Sequence, residues 1–435
     1  MNVGVISLGC VKNRVDTEEM LSFLQEDGFS FVTDPAQAEV LIVNTCGFIT
    51  SAKEESIDAI LEMAQHKKTG RCQVLCVTGC LAQRYEKELL ADIPEIDVLT
   101  GVSQYPQLAG FIRRALQGEK ASDTTRDNHF NACGRVLTTP SYSAYVRIAE
   151  GCDNRCAYCA IPGIRGAFRS RPMADILAEM RGLAKRGARE QILIAQDTSR
   201  YGRDLKGASL RQLLDQASSI PGIDWLRVLY CYPDEIDEAL IDLMASRPNI
   251  CKYLDLPLQH AAPQVLRAMN RRGDIQRTRK LLAYAREKGF ALRTTVIVGF
   301  PGESQADFDQ LTAFMQAVRF DRLGAFAFSP EEDTPAEKMP HQVPEGTKAN
   351  RLEAVMQLQA GISLERNRLR VGNLERLLVT GREGGRYTAR SQWEAPDSDG
   401  IIRLDSEDPL RPGDMVMARI TQADTYDLEA QASKE

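Results

Sequence analysis

The chain has 435 residues, a formal net charge of −6, 43% hydrophobic residues and 26% charged residues. At roughly 150 residues per domain, that length carries about three globular domains, and the acidic balance excludes a protein that grips nucleic acid through a broad basic field. Eleven cysteines stand against four histidines. With no basic-then-apolar leader at the start, that ratio points to thiolates at a metal rather than to a disulfide framework or imidazole catalysis.

In chain order, residues 1–120 read as an α/β domain. Strands at 3–8, 40–44, 73–78 and 97–100 alternate with helices at 16–25, at 50–68, from about 81 and at 107–117. Such alternation implies a parallel open sheet whose ligands gather beyond the carboxyl ends of the strands. Residues 121–140 have linker composition, with Asp123, Thr124, Thr125, Asn128, Gly134 and Pro140. A second α/β series occupies 141–370, with strands at 144–149, 191–196, 225–230, 253–256, 293–298 and 323–328. Helices at 173–186, 207–217, 234–245, 276–288 and 304–318 fit between them, and a long helix at 347–370 follows. Six βα units are two short of a closed eight-fold barrel, so an open, six-stranded partial barrel is expected. Residues 371–435 read as a small OB-like β-barrel, with strands at 377–380, 386–390, 400–404 and 415–420. Gly384-Gly385 and Arg411-Pro412-Gly413-Asp414 are its turn signals. No apolar run approaches the roughly 20 residues that span a bilayer, so a cytoplasmic protein without a membrane partner is expected.

The segment Gly151-Cys152-Asp153-Asn154-Arg155-Cys156-Ala157-Tyr158-Cys159 follows the first barrel strand, in the loop where such barrels hold their chemistry. A structural zinc takes four closed ligands, and no fourth cysteine or histidine lies near. Three thiolates suit a 4Fe-4S cluster with one open iron. This CxxxCxxC loop resembles that of the radical-SAM superfamily, in which the open iron chelates S-adenosylmethionine. On that resemblance, Tyr158 matches an aromatic position near the adenine. Gly299, in Val296-Ile297-Val298-Gly299-Phe300-Pro301-Gly302-Glu303, lets backbone approach the adenine, and Glu303, which closes that segment, is expected with it among the cofactor-binding residues. Gln196, with Asp197, ends the second barrel strand and is placed to hold the amino or ribose end. The plainer readings are a packing aromatic for Tyr158 and a helix start for Pro301 and Glu303. Arg147, Arg155, Arg165, Arg169 and Arg171 read as a positive rim that orients a carboxylate, or as ordinary surface arginines.

Three further cysteines, Cys10, Cys46 and Cys80, each end a predicted parallel strand. Aligned strand ends converge on one edge of a sheet, so these three meet where scattered core cysteines would not. Gly9, Gly47 and Gly79 beside them leave room for a bulky group. A second cluster with an open iron is inferred. Cys76 lies about 13 Å of strand away from Cys80 and reads as core. Cys72 is a rival ligand for the same site, and Cys133, Cys231 and Cys251 read as structural.

Two three-cysteine sites and a terminal small β-barrel resemble the methylthiotransferases over essentially the whole chain, with that barrel similar to their TRAM domain. Ala149-Glu150-Gly151-Cys152, Ala160-Ile161-Pro162-Gly163-Ile164-Arg165, Tyr232-Pro233-Asp234-Glu235 and Ala395-Pro396-Asp397-Ser398-Asp399-Gly400 look like the branch that modifies a ribosomal protein rather than transfer RNA. The resemblance implies two 4Fe-4S clusters and S-adenosylmethionine as cofactors. It implies hydrogen abstraction by a 5′-deoxyadenosyl radical and methylthiolation of the β-carbon of an aspartate in the small-subunit ribosomal protein numbered twelve. It also implies a reductase or flavodoxin-type electron donor, and it leaves the sulfur donor open. The alternatives are a tRNA adenosine methylthiotransferase and a two-cluster electron carrier without catalysis. Residues 371–435 hold eight Lys/Arg and thirteen Asp/Glu, which suits a basic protein partner better than a phosphate backbone. The last domain is therefore expected to dock the substrate protein, and its deletion to abolish modification while sparing S-adenosylmethionine cleavage.

Overall fold

A computed structural model describes residues 1–127, 130 and 134–433; Cys133 lies outside the described residues. The chain forms two units, each assembled from separated stretches. One comprises residues 1–139, 149–171 and 329–337, and the other 140–148, 172–328 and 338–435. The division cuts across the expected boundaries at 120, 140 and 370. The loop bearing Cys152, Cys156 and Cys159 folds with the N-terminal domain, and the C-terminal β-barrel folds with the partial barrel.

In the first unit, β1 (Asn2–Ser7), β2 (Ser30–Phe31), β3 (Val40–Thr45), β4 (Val74–Gly79), β5 (Val98–Thr100) and β6 (Ala121–Asp123) form one sheet in the order β2-β1-β3-β4-β5-β6. All neighbours are parallel. The strand order reverses between β1 and β3, which opens a crevice at their carboxyl ends. Every residue of β3 and β4 is buried, as helices on both faces require. Val40, Ile42, Val74 and Cys76 pack with Met20 and Leu24 on one face; Leu41, Val43, Leu75 and Val77 pack with Ile60 and Met63 on the other. Cys76 and Cys72 are therefore core residues. Two edge strands, β2 and β6, were not expected. They are too short to show a period, and β6 moves residues 121–123 from the linker into the sheet.

Helix α1 (Val11–Glu26) begins directly after Cys10, five residues before the expected start at 16. Its first turns carry Asn13, Asp16, Thr17 and Glu18, all buried. Polar residues on the buried face erased the apolar periodicity that would have marked this start.

In the second unit, the partial barrel consists of two parallel three-stranded sheets. Ser143–Arg147, Glu190–Ile194 and Trp225–Val228 form one, and Tyr253–Asp255, Ala291–Val298 and Arg322–Ala327 form the other. A single parallel bridge, Leu226 to Ile250, connects them. This is the open six-stranded barrel the sequence implies. The C-terminal barrel closes with five strands, the fifth being Leu428–Ala432. Its sequence, Leu-Glu-Ala-Gln-Ala, favours helix, but pairing with Ile402–Asp405 and Met415–Ala423 completes the closure and overrides propensity.

The segment after strand Arg386–Arg390 anchors this small barrel to the amino-terminal ends of the partial-barrel strands, the end remote from where such barrels hold their chemistry. Arg390 Nη2 lies 2.5 Å from Glu190 Oε2, and Arg227 Nε lies 3.1 Å from Glu190 Oε1. Glu394 pairs with Arg322 at 3.0 Å and with Arg370. The Tyr253 hydroxyl donates to Asp399 Oδ2 at 2.6 Å. Glu190, Arg227, Tyr253, Arg322 and Glu394 are all buried. The last domain is thus built into the partial barrel, which revises the expectation of a separable docking module.

Candidate iron–sulfur centres

The three N-terminal cysteines come together through the sheet topology. Cys10 lies three residues beyond β1, directly before α1; Cys46 follows β3; Cys80 opens the short helix Cys80–Arg84 directly after β4. A Cβ placed on Gly9 would lie 2.8 Å from Cys46 Cβ and 3.1 Å from its sulfur. A Cβ on Gly47 would lie 3.0 Å from the carbonyl carbon of Cys80. The loops therefore meet at the crevice between β1 and β3. Gly79 turns the chain with φ +97°, and a side chain there would strike Asn44 Oδ1 at 2.4 Å and Thr45 O at 2.6 Å. Its smallness serves protein packing.

Backbone clamps hold the ligand loops. Cys46 N donates to Ser56 Oγ at 3.0 Å, and Ser56 Oγ donates back to Cys46 O at 2.9 Å. Asn13 Nδ2 donates to Leu8 O at 3.1 Å and to Thr45 O at 2.9 Å, joining the ends of β1 and β3. Burial pushes the Cys80 thiol up to about 12, with Cys10 adding to the shift and Arg165 opposing it. Burial also raises Cys46, with Cys10 again contributing. These thiols stay protonated until iron displaces the protons. Among the described residues no three His, Cys, Asp or Glu groups form a ready cage for a single ion. A four-iron cluster spreads its thiolates more widely than one ion does. A donor set of three cysteines in a crevice, with Cys10 exposed, fits such a cluster.

The first triad, Cys152, Cys156 and Cys159, lies in the same unit as the second, Cys10, Cys46 and Cys80. Strands Ala149–Glu150 and Arg169–Ser170 pair antiparallel and close the base of its loop. Cys152 N donates to Gly166 O at 3.1 Å, and Cys159 N donates to Cys156 O at 3.0 Å. Ala336 N donates to Ala157 O at 2.9 Å, fastening the loop to the 329–337 stretch. Cys156 is buried, and Cys152 and Cys159 are half-buried. Gly151 takes φ +76°, and a Cβ there would sit 2.1 Å from Ala167 O. The variant Gly151→Ala must move that backbone and adopt a left-handed residue, at a cost of about 1–3 kcal/mol. We expect it to lose most iron at the first triad while retaining iron at the second, as read by metal analysis and Mössbauer spectra.

Of the other predicted residues, Tyr158 is half-buried within the first triad's loop, whereas Gln196, Gly299 and Glu303 belong to the second unit. Gly299 takes φ +74°. The Glu303 carboxylate faces inward. Its Oε2 accepts from Gly299 N at 2.6 Å and Phe300 N at 3.1 Å, and its Oε1 pairs with Arg351 Nη1 at 3.0 Å. Burial raises its pKa against the pull of Arg351. Those hydrogen bonds shape the 299–303 turn, so Glu303 is a positioning residue for that turn. Buried His260 lies nearby, with Nε2 3.8 Å from Glu303 Oε2.

The arginine rim is revised. Arg165 and Arg171 are buried, Arg169 is half-buried, and of the group in this unit Arg155 alone is exposed. Arg165 reaches Asp16 (2.7 Å), Glu150 (3.5 Å), Asn13 Oδ1 (2.8 Å) and Cys80 Sγ (3.3 Å). Sequence reasoning missed Asn13, Asp16 and Ser56 altogether. The signal available was a cluster of polar residues in the first turns of a helix that follows a candidate ligand.

An open six-stranded barrel and a CxxxCxxC loop define a radical-SAM enzyme. Residues 146–315 match the family model of the radical SAM superfamily, residues 2–101 that of uncharacterized protein family UPF0004, and residues 371–432 that of the TRAM domain. The ribosomal protein uS12 methylthiotransferase RimO of Desulforamulus reducens is 50% identical, over 98% of this chain and 98% of its own length. The protein of the same name from Geobacter sulfurreducens is 46% identical, over 98% of this chain and 97% of its own. The chain belongs to the family of ribosomal protein uS12 methylthiotransferases, and it is a transferase. Among solved structures, the radical S-adenosylmethionine methyltransferase TsrM of Kitasatospora setae superposes with a TM-score of 0.58 at 14% identity, over 88% of this chain and 79% of that one. The cobalamin-dependent radical enzyme OxsB superposes at 0.52 and 10% identity, over 82% and 56%. These two likenesses concern the fold. No helix among the described residues is long and apolar enough to cross a membrane.

Proposed function

We propose that the chain places a methylthio group on the β-carbon of an aspartate in ribosomal protein uS12, free or within the ribosome, in the cytoplasm. The observation that carries this reading is the presence of two cysteine triads in one folded unit of a member of this family. When bound, two 4Fe-4S clusters and S-adenosylmethionine supply the radical and sulfur-transfer chemistry. Cys152, Cys156 and Cys159 would hold the first cluster, and Cys10, Cys46 and Cys80 the second. The protein's own part is to bind and position. Ser56 and Asn13 fix the second triad's loops, and Gly151 and the Cys152–Gly166 hydrogen bond fix the first. Tyr158, Gln196 and Gly299 are the proposed contacts of S-adenosylmethionine, and Glu303 holds the turn that carries Gly299. A low-potential donor of the reductase or flavodoxin type would deliver electrons.

The test is a competition under anaerobic conditions. The reconstituted chain receives S-adenosylmethionine, sulfide, dithionite and equal amounts of an aspartate-bearing uS12 peptide and unmodified transfer RNA. Mass spectrometry should find a methylthio group in place of hydrogen on the peptide aspartate. Its appearance on the transfer RNA instead would overturn the proposed substrate.

A further inference from the structure

We propose that Arg165 sets the reduction potential of the centre held by Cys10, Cys46 and Cys80, making that centre easier to reduce. The inference rests on the two-cluster reading above and goes beyond it.

Arg165 lies six residues after Cys159 in sequence, yet its guanidinium is directed at the other triad. Nη2 donates to Cys80 Sγ at 3.3 Å and to Asn13 Oδ1 at 2.8 Å. Nη1 is held by Asp16 Oδ2 at 2.7 Å and Glu150 Oε2 at 3.5 Å. The side chains of Arg165 and Asp16 are 1% and 0% exposed, so solvent and salt screen this charge little. Asn13 is itself fixed, because its amide nitrogen donates to the two backbone carbonyls at the ends of β1 and β3. Its oxygen then faces both the guanidinium, at 2.8 Å, and the Cys80 sulfur, which donates to it at 3.5 Å. The carboxylates therefore grip one nitrogen, and the other, the positive end of the assembly, is presented to the Cys80 sulfur.

Reduction adds one electron to the centre and one negative charge spread over its sulfurs. A fixed cation and a donated hydrogen bond at one of those sulfurs stabilise the reduced form more than the oxidised form. Hydrogen bonds to ligand sulfurs and net charge are the levers that tune such potentials. Glu150 stands two residues before Cys152, so the same side chain also connects the loops of the two triads. A purely structural arginine would satisfy Asp16 and Glu150 without spending a donor on the Cys80 sulfur.

The experiment uses the full chain carrying Cys152→Ala, Cys156→Ala and Cys159→Ala, so that a single centre remains. Its potential is measured by dithionite titration followed by electron paramagnetic resonance, with Arg165 intact, as Arg165→Gln and as Arg165→Lys. Arg165→Gln should shift the reduction equilibrium at least tenfold toward the oxidised form, 59 mV for a one-electron couple. Arg165→Lys keeps the charge without the fork and should shift it in the same direction by less. If Arg165→Gln fails to assemble, the Arg165→Lys shift decides. An unchanged potential in the variants that retain about four irons overturns the role of Arg165. A parent with no iron at all would instead overturn the second cluster itself.

Discussion

Replacing Cys10, Cys46 and Cys80 together by alanine should lower iron from about eight to about four atoms per chain. It should abolish methylthiolation of the uS12 peptide while leaving reductive cleavage of S-adenosylmethionine. The expectation follows from the topology. Ends of β1, β3 and β4 are the only part of the N-terminal sheet that brings three thiols to one crevice among the described residues, and neighbouring Cys76 and Cys72 face the cores between sheet and helices. Cys76 lies within β4 and Cys72 before its amino end, whereas the crevice is at the carboxyl end, where Cys80 follows. The fold should survive, since alanine is close to cysteine in size and Arg165 retains Asp16, Glu150 and Asn13 as partners. Iron and sulfide analysis of the anaerobically purified variant, with 5′-deoxyadenosine as the second readout, checks both halves. Eight irons remaining in the variant would place the second cluster on other residues. Methylthiolation persisting with four would show that the first triad suffices.

Deleting residues 371–435 should yield a chain that does not fold, and so should abolish cleavage of S-adenosylmethionine along with modification. The deletion removes Arg390, Glu394 and Asp399 from buried polar groups on the partial barrel. Glu190 would lose Arg390 and keep Arg227. Arg322 would lose Glu394, and Arg370 would lose both Glu394 and Glu375. With these cations in place, the Glu190 carboxyl is brought down to about 2 in spite of burial. Breaking one buried pair by removing one partner costs roughly 3–5 kcal/mol, against a total stability of about 5–15 kcal/mol for a typical domain. A milder variant, Glu394→Ala, should fold with a melting temperature several degrees lower, because it takes the carboxylate from Arg322 and leaves Arg370 with Glu375 alone. Differential scanning calorimetry of the iron-free chain reads this. A truncated chain that melts cooperatively and still cleaves S-adenosylmethionine would restore the separable docking module.

Much of this architecture was legible because parallel α/β units advertise themselves. The six strands of the partial barrel show short apolar runs separated by amphipathic helices, and the ends of β1, β3 and β4 fall at the cysteines. What escaped had physical reasons. The start of α1 was hidden because Asn13, Asp16, Thr17 and Glu18 turn polar groups toward the interior. Strand Leu428–Ala432 is composed of helix formers and exists through barrel closure. Arg165 looked like rim charge because sequence proximity to Cys159 says nothing of the tertiary approach to Cys80. Glu303 carried a helix-start signal, and the structure places it in that turn with both oxygens engaged by protein groups. The anchoring of the last barrel depends on charge pairs such as Glu190 with Arg390, 200 residues apart, which no local pattern reveals.

The discontinuity of the first unit bears on how the protein is made. Domains fold from the amino terminus as the chain emerges during synthesis, but this one cannot be completed in that order. Asp16 lacks its cation until Arg165 has left the ribosome. Helix α2 (Thr50–Thr69) waits longer still: Thr50 N donates to Glu331 Oε1 at 3.1 Å, and Lys53 pairs with Glu331 at 3.4 Å. Tyr85 donates to Glu332 at 2.7 Å. A nascent chain of some two-thirds final length therefore has the whole sheet but lacks the partners of Thr50, Lys53, Tyr85 and Ala157 in residues 329–337. The first unit is therefore completed only once residues 329–337, about three-quarters of the way along the chain, have been made.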